Sequence, residues 1–283
     1  MTVPPSLLFV AGLGYSALHL ARRWPGPVAG TVRSAEKAAA LQAEGIDARV
    51  WDGAGPLEIP RNACLLASIP PDAHGCPVAR CDPPVSDGDP DVIYLSTTGV
   101  YGDLNGGWAF EWSPRNPTSA RAKARALAED QWQARTGGRV RIVRLPGIYG
   151  PGRSPFDRLR AGTAQRVVKP GQVFSRVHVE DIASGLLALA QRPAATGRAG
   201  GVFHLCDDEP APPQDVTAFA ARLLGLEPPP EVPFETAGLS PMAASFYAEC
   251  KRLSNARAKA ALGWRPAYPS YREGLAAVLA GEG

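Results

Sequence analysis

Residues 7–21 read LLFVAGLGYSALHLA, an apolar run that ends in a glycine turn and continues as a helical pattern. The turn has the spacing Gly12-x-Gly14-x-x-Ala17, which is typical of the junction between the first strand and the first helix of nucleotide-binding α/β folds. Gly12 permits the tight turn, Gly14 allows the backbone to approach a pyrophosphate, and Ala17 allows close helix–strand packing. The stretch predicts a dinucleotide site, with a purely structural glycine turn as the alternative.

Strand-like and helical segments alternate through the first half of the chain. Short apolar runs occur at 28–32, 91–97 and 139–145, and a long helical pattern covers 119–137. The run at 91–97, DVIYLST, is mostly apolar and rich in β-branched residues, as expected of a strand covered on both faces. Segment 70–91 is rich in Pro, Asp and Gly and predicts a long loop. The alternation predicts an α/β fold with a doubly wound parallel sheet of the Rossmann type.

The alternation breaks after Pro146, which predicts a second structural unit. We expect residues 1–146 to form a nucleotide-binding Rossmann domain that is completed by about 176–206. Segments 147–175 and 207–283 then form a smaller C-terminal substrate lobe. In this kind of fold a ligand binds in the cleft beyond the carboxyl ends of the strands, so we expect the lobe to close over that cleft.

Composition excludes several classes of protein. The 283 residues carry 30 basic and 27 acidic side chains, a formal net charge of +3, which is unlike a wholly basic nucleic-acid binder. No apolar run approaches the roughly 18 residues of a membrane span. The five cysteines are odd in number and show no framework spacing, and residues 1–14 lack the basic region and cleavage site of a signal peptide. We therefore expect a reduced, cytoplasmic protein that binds neither nucleic acid nor membranes.

One short segment contains residue types that can bind metal ions. His74, Cys76, Cys81 and Asp82 lie close together in the sequence. Structural zinc sites pair two such groups of ligands, and a second Cys/His pair is missing here. We therefore expect a surface loop and no metal.

No acidic residue stands at the end of the second predicted strand, where NAD-binding folds carry the carboxylate that binds the ribose 2′-hydroxyl. Arg33 and Ser34 occupy that position, and Lys37 lies one helical turn further on. A guanidinium suits a 2′-phosphate, so the sequence favours NADP, with NAD and a merely solvated Arg33 left open. Asp52 and Ser68 follow the next two strands and are expected along the cofactor, Asp52 having a turn role as its alternative. The residues expected to bind the cofactor are Gly12, Gly14, Tyr15, Ala17, Arg33, Ser34, Lys37, Asp52, Ser68 and Pro146.

Six different segments, distributed over nearly the whole chain, carry a resemblance to one known family. They are VAGLGYSA, LSTTGVYG, RLPGIYGPGR, RVHVEDIASGL, HLCDDEP and SNARAKAALGW. Together they resemble the extended short-chain dehydrogenase/reductase superfamily, of the NAD(P)-dependent epimerase/dehydratase type, and most closely its atypical branch. The resemblance implies a nicotinamide cofactor and oxidoreductase or epimerase chemistry. It does not specify the substrate.

The helix at 119–137 departs from that family. The resemblance makes Thr97, or the adjacent Thr98, the residue that hydrogen-bonds the reacting oxygen. Arg121 and Arg125 stand where the family has its Tyr-x-x-x-Lys pair. An arginine stays protonated and cannot exchange a proton near neutral pH. We expect Arg121 to face the cleft near Thr97 and to bind a carboxylate, a phosphate or an oxyanion, and Arg125 to hold ribose hydroxyls. Glu129 shares their helix face and is expected to pair with Arg125.

Other tyrosines are candidates for a displaced catalytic acid. Tyr101 and Tyr149 lie near the expected site in the sequence, whereas Tyr247 and Lys251 have the family spacing but lie far downstream. A packing role is preferred for Tyr247. The expected catalytic residues are Thr97, Arg121, Arg125 and Tyr149.

Positive charge is concentrated in one part of the chain. Residues 115–169 hold 13 basic and 3 acidic side chains, a net charge of +10. A local field of this kind suits an anionic ligand, although a solvated basic face is the alternative. The first functional hypothesis is an NADP-dependent oxidoreductase or epimerase/dehydratase-like enzyme acting on an anionic, sugar-like or nucleotide-linked small molecule. The second is a catalytically inactive NADP-binding sensor. A homodimer is left open.

Overall fold

The computed structural model describes residues 6–81, 91–191 and 200–282, and the structural statements below concern those residues. Its strands divide into one large sheet and three short two-stranded pairs. The strands are β1 (Leu8–Ala11), β2 (Val28–Val32), β3 (Asp47–Val50), β4 (Cys64–Ala67), β5 (Asp91–Thr97), β6 (Trp108–Ala109), β7 (Arg141–Leu145), β8 (Gly147–Tyr149), β9 (Arg166–Val168), β10 (Arg176–His178), β11 (Gly201–His204), β12 (Glu231–Pro233) and β13 (Arg252–Leu253).

Helices follow most strands of the large sheet, and more helices lie in the C-terminal part of the chain. Several begin with a hydroxyl cap: Ser119 accepts a hydrogen bond from the Ala122 amide, and Ser270 forms a capping box with Glu273. The helices are α1 (Tyr15–Ala21), α2 (Ala35–Ala43), α3 (Ala120–Arg135), α4 (Phe156–Arg160), α5 (Val179–Ala190), α6 (Pro213–Leu223), α7 (Pro241–Phe246), α8 (Ala256–Leu262) and α9 (Tyr271–Ala280).

The large sheet has seven parallel strands in the order β11-β7-β5-β4-β1-β2-β3. The order reverses between β1 and β4, which is the point where doubly wound folds bind ligands. This confirms the predicted fold class. The apolar runs predicted at 28–32 and 91–97 are β2 and β5 over their full lengths, and α3 fills most of the helix predicted at 119–137.

Side chains along β1 alternate between the two faces of the sheet. Leu8 and Val10 join a buried cluster with α1, α2 and α5 on one face, whereas Phe9 and Ala11 join a second cluster with α3 on the other. Both faces of the strand are therefore covered, as in parallel sheets generally. The close contact of β1 with β2 also depends on Gly30, where a Cβ would lie 2.4 Å from the Val10 carbonyl oxygen.

A separate apolar cluster holds the smaller lobe together. It joins Tyr149 after β7 to Phe156 of α4, Val216 of α6 and Leu275 of α9. The lobe also contains the short parallel pair of β9 with β12. The last third of the chain does not all belong to this cluster, however, because Ala258 and Trp264 pack into the sheet cluster beside α5.

A buried ion pair joins α3 to the sheet. The Glu129 carboxylate accepts hydrogen bonds from Arg144 Nε at 2.9 Å and Nη2 at 2.6 Å, and Ser96 Oγ donates to it at 2.6 Å. Arg115, which is partly exposed, also donates from Nη1 to Glu129 Oε2 at 3.2 Å. The expected pairing of Glu129 with Arg125 is therefore wrong, because β7 supplies a buried cation that reaches the carboxylate with two donors.

This geometry generates a prediction about stability. Removing one partner of a buried pair leaves an uncompensated charge, so Glu129→Ala should lower the free energy of unfolding by about 3–5 kcal/mol in a urea titration. Asp130→Ala is the matched control, because Asp130 also contacts Arg115 but is exposed, and its loss should stay near or below about 1 kcal/mol. Equal losses in the two variants would contradict the central role of the pair.

Candidate active site

The glycine turn has a conformation that only glycine adopts easily. Gly12 has φ of +95°, and its amide donates to Thr31 Oγ1 at 3.0 Å. A Cβ at this position would lie 2.7 Å from Cγ1 of Ile69, the second residue after β4. The backbone conformation and the lack of space therefore both require glycine here.

Gly14 serves a different purpose. It is the N-cap of α1 with φ of −90°, and a Cβ there would meet only the Gly12 carbonyl oxygen, at 3.9 Å. The fold itself therefore does not require glycine at this position, and open space lies in front of it. Lys37 brings a cation to the turn, since its Nζ donates to the Leu13 carbonyl oxygen at 2.8 Å. The open space at Gly14, which a side chain would fill, lies next to the Lys37 ammonium. Space of this kind beside a cation fits a pyrophosphate.

The residues predicted near the adenosine ribose have different environments. Arg33 is exposed, and its side chain has no hydrogen bond or ion pair to any residue of the described segments. Ser34 caps α2 by accepting a hydrogen bond from the Lys37 amide at 3.3 Å. Asp52 Oδ1 accepts from the Ala54 amide at 2.9 Å, which is the turn role considered as its alternative. Arg33 thus remains available to a ligand, while Ser34 and Asp52 have local structural partners.

The other predicted cofactor contacts surround the same turn. The Ser68 amide donates to the Ala11 carbonyl oxygen at 2.9 Å, and Ala17 is fully buried in the core. Tyr15 reaches across to the loop after β8, where its hydroxyl donates to the Pro151 carbonyl oxygen at 2.9 Å. The Arg153 guanidinium lies 4.5 Å from the centre of the Tyr15 ring. Sequence reasoning missed Arg153.

A cavity of about 990 Å³ lies at the carboxyl ends of β5 and β7, between the sheet and the lobe. Four residues predicted from the sequence line it: Thr97 ends β5, Pro146 follows β7, and Arg121 and Arg125 project from α3. The structure therefore brings the family's Thr position and both substituted helix positions into one cavity. The Thr97 hydroxyl also accepts a hydrogen bond from the Gly99 amide at 3.2 Å, which orients it.

The two arginines are held differently. Arg125 donates to the Leu95 carbonyl oxygen at 2.6 Å and to the Tyr94 hydroxyl at 3.2 Å, so β5 fixes its position. Arg121 lies over the Phe246 ring at 5.4 Å and reaches Met242 of α7, and both of these side chains line the cavity. Arg121 thus spans from α3 to the lobe, where it can meet a ligand.

The two tyrosines considered as displaced acids do not line this cavity. Tyr149 is buried in the lobe cluster, and its hydroxyl donates to the Ser270 carbonyl oxygen at 3.3 Å. Burial raises its pKa far above the ordinary value. Tyr101 is buried between Arg144 and His204, and its pKa is raised to about 12, mainly by burial. Tyr149, expected to be catalytic, is therefore packed within the lobe cluster and lies outside the cavity lining.

The lobe contributes cavity residues that the sequence reasoning missed or set aside. Arg158 of α4 and Arg176 of β10 line the end nearest the lobe, together with Tyr247. Lys251 also lines the cavity, but its ammonium donates to the Gly102 carbonyl oxygen at 2.7 Å and to Glu249 at 2.5 Å rather than to Tyr247. Tyr247 and Lys251 therefore do not reproduce the family pair. The basic stretch 115–169 was the available signal for Arg158.

The described part of the chain contains no group of three His, Cys, Asp or Glu side chains placed to hold a metal ion. Cys76 is fully buried in an apolar cluster, and Asp82, with the rest of the predicted loop up to residue 90, lies outside the described residues. Among the described helices, none is both long and apolar enough to cross a membrane.

The matching curated proteins cover about half of the sequence, and no family model matches. Protein YeeZ from Escherichia coli K12 is 37% identical over 142 residues, which is 50% of this chain and 48% of that protein. A 3-diazoavenalumate denitrifying reductase from a Streptomyces species is 34% identical over 147 residues, 47% of this chain and 45% of that protein. The chain thus matches about half the length of these curated relatives.

Solved structures match over nearly the whole chain. Human epimerase family protein SDR39U1 with NADPH is 15% identical with a TM-score of 0.71, over 96% of this chain and 98% of that one. DesIV, a dTDP-glucose 4,6-dehydratase from Streptomyces venezuelae with NAD and TYD bound, is 21% identical with a TM-score of 0.72, over 97% and 96%. These likenesses show that the chain shares the fold of those two proteins, as expected.

A functionally unknown conserved protein from Silicibacter pomeroyi DSS is much more similar. It is 44% identical, with a TM-score of 0.87, and the match covers 98% of this chain and 99% of that chain. The chain belongs to the same family as that Silicibacter protein.

The contrast between the two glycines generates the next prediction. Gly12→Ala should lower the free energy of unfolding by about 1–2 kcal/mol or more, because the positive φ alone costs that much and Ile69 must also move. Gly14→Ala, the matched control, should stay within about 1 kcal/mol of the parent chain. Chemical denaturation measures both. A Gly14 variant as unstable as the Gly12 variant would mean that both glycines serve the fold alone.

Proposed function

We propose that this chain is an NADP-dependent reductase that transfers hydride to an anionic small molecule. The observation that carries this proposal is the cavity beyond β5 and β7, in which Thr97 lies together with Arg121 and Arg125. It lies at the carboxyl edge of the sheet, where the glycine turn also lies, and this is the edge at which such folds bind a dinucleotide and its substrate.

The residues of the chain fit a nicotinamide cofactor. The open space at Gly14 and the Lys37 ammonium beside the turn suit the pyrophosphate, and the exposed Arg33 guanidinium suits a 2′-phosphate. The SDR39U1 structure contains NADPH and the DesIV structure contains NAD, which supports a nicotinamide cofactor. Arg33, in place of an acid, supports NADP within that class.

The absence of the family's tyrosine restricts the chemistry that the chain's own side chains can perform. A bound reduced nicotinamide supplies the hydride. The Thr97 hydroxyl can donate a hydrogen bond to the reacting group, and Arg121 can stabilise negative charge that develops there. Because Arg121 keeps its proton at neutral pH, any proton that the product needs must come from water at the open mouth of the cavity. Reductions that need no internal acid fit this site best.

The charge of the cavity wall supports an anionic substrate. The lining includes one carboxylate, Glu249, which the Lys251 ammonium contacts. Hydroxyl groups such as those of Thr118, Ser119 and Ser240 also line it and suit a sugar-like body. The cationic residues of the lining are Arg121, Arg125, Arg158, Arg176 and Lys251.

The similarity to a denitrifying reductase supports an enzyme rather than a sensor. A panel of anionic carbonyl and diazo compounds should therefore include an acceptor that oxidises NADPH, followed by the loss of nicotinamide absorbance. With that acceptor, Arg121→Met should lower kcat/KM by about 10²-fold or more. Lys123→Met, on the same helix but outside the cavity lining, should change it by less than about threefold. Binding of NADPH without turnover of any acceptor would support the redox-inactive alternative.

The choice of cofactor is tested separately by direct binding. Arg33→Ala should weaken NADP(H) binding by about tenfold or more, because a charge-assisted pair with the 2′-phosphate is lost, and leave NAD(H) binding unchanged. Arg22→Ala, an exposed arginine that pairs with Glu44, is the control and should affect neither cofactor. An equal loss for both cofactors with Arg33→Ala would overturn the assignment to NADP.

A further inference from the structure

The cavity contains a second group of cationic residues, which do not belong to α3. Arg158 of α4, Arg176 of β10 and Tyr247 just after α7 line the end formed by the lobe, and we call this group the distal subsite. The phenol of Tyr247 is close enough to both guanidinium groups for each to lower its pKa, in opposition to burial, which raises it. The side chains of Arg158, Arg176 and Tyr247 therefore face the same part of the cavity.

Arg176 has donors that no described residue of the chain satisfies. Its Nη1 donates to the carbonyl oxygens of Phe174 at 2.8 Å and Ala211 at 3.0 Å, while Nε and Nη2 donate to no group in the described segments. A guanidinium has five N–H donors, and leaving several unpaired in a partly enclosed place is unfavourable. The two carbonyl oxygens fix its orientation and leave the remaining donors to the cavity.

The charge of Arg176 also lacks a full counter-charge. The carboxylate that acts on it, Asp207, is buried, and neither of its oxygens accepts a hydrogen bond of good geometry. Burial raises the pKa of Asp207, which disfavours its charged form beside Arg176. Arg158 has no ion pair or side-chain hydrogen bond with the described residues. The cations at this end of the cavity are therefore available to an anion from outside the chain.

We propose that the distal subsite binds a terminal carboxylate or phosphate of the substrate, with Arg158 and Arg176 as its cationic ligands and the Tyr247 hydroxyl as a further donor. The proposal rests on the proposed reductase function and adds the position of the substrate's acidic group. The reacting group then lies at Thr97 and Arg121, and the acidic group lies at Arg158, Arg176 and Tyr247 in the same cavity. The substrate class is a small acid whose anionic group is separate from the atom that receives hydride.

Neighbouring side chains fix the geometry of this subsite. The Phe174 ring meets the Tyr247 ring edge-on at a centroid distance of 5.4 Å, and Phe234 contacts Tyr247 from another side at 5.1 Å. Lys169 donates to the Tyr247 carbonyl oxygen. The phenol is thus held by packing, and its hydroxyl makes no hydrogen bond with the rest of the described chain. Removing only this hydroxyl should leave the packing unchanged.

Probe binding tests the proposal without turnover. Benzoate and phenyl phosphate each carry one terminal oxyanion, and uridine diphosphate represents a nucleotide-linked substrate; all three are titrated calorimetrically into the full chain without cofactor. Arg158→Met and Arg176→Met should each weaken the preferred small probe by about tenfold or more. Arg160→Met is the matched control, since Arg160 lies on the same helix, contacts Glu282 and does not line the cavity; it should change binding by less than about twofold.

The outcomes separate this proposal from the proposed function. Preference for benzoate assigns a carboxylate, and preference for phenyl phosphate assigns a phosphate. Arg158→Met and Tyr247→Phe alter partly exposed side chains and keep the test valid if Arg176→Met fails to fold. Probe affinity that is the same in Arg158→Met, Tyr247→Phe and Arg160→Met overturns the distal subsite, as does binding of uridine diphosphate that none of these variants weakens. Probe binding that Arg158→Met weakens, together with no oxidation of NADPH by any acceptor, overturns the reductase proposal and leaves the distal subsite in place.

Discussion

The buried pair of Glu129 with Arg144 sets the rotation of α3, and the position of the candidate site depends on that rotation. Glu129 is fixed from two strands, since Arg144 belongs to β7 and Ser96 to β5. Residues four and eight positions earlier on a helix lie on nearly the same face, so the pair also directs Arg125 and Arg121 toward the strand ends. A small change in rotation would move Arg125 away from the Leu95 carbonyl oxygen and Arg121 out of the cavity.

The sheet was predictable from the sequence because its signal is local. Strands such as 28–32 and 91–97 are buried on both faces and therefore appear as short apolar runs, and Gly12 marks a turn whose positive φ restricts the residue type. The partner of Glu129 was not predictable in this way. Helix spacing indicates Arg125, but the stronger donor comes from a strand that follows α3 in the sequence, and its distance depends on how the helix packs on the sheet.

The residues of the distal subsite were also not predictable from the sequence. Arg158 lies within the basic stretch at 115–169, but that stretch also supplies Arg144 to the buried pair and Arg166 to an exposed pair with Glu231. A count of charges along the sequence cannot separate a cation that the fold neutralises from one that is free for a ligand. Arg176 is the first residue of the RVHVEDIASGL segment, but that segment indicates a family and not a ligand-binding role for the arginine.

The substitution of arginine for the family's tyrosine and lysine changes what the helix can do rather than removing the site. Tyrosine moves a proton, whereas a guanidinium only stabilises charge, so Arg121 favours a reaction in which negative charge grows near Thr97 and is neutralised later by solvent. Arg125, fixed by the Leu95 carbonyl oxygen, adds a positive field without moving. The cations that line one cavity repel each other when no anion is bound. Under the proposed function, an acidic substrate offsets the charges of Arg158 and Arg176 and leaves Arg121 to act on the reacting group.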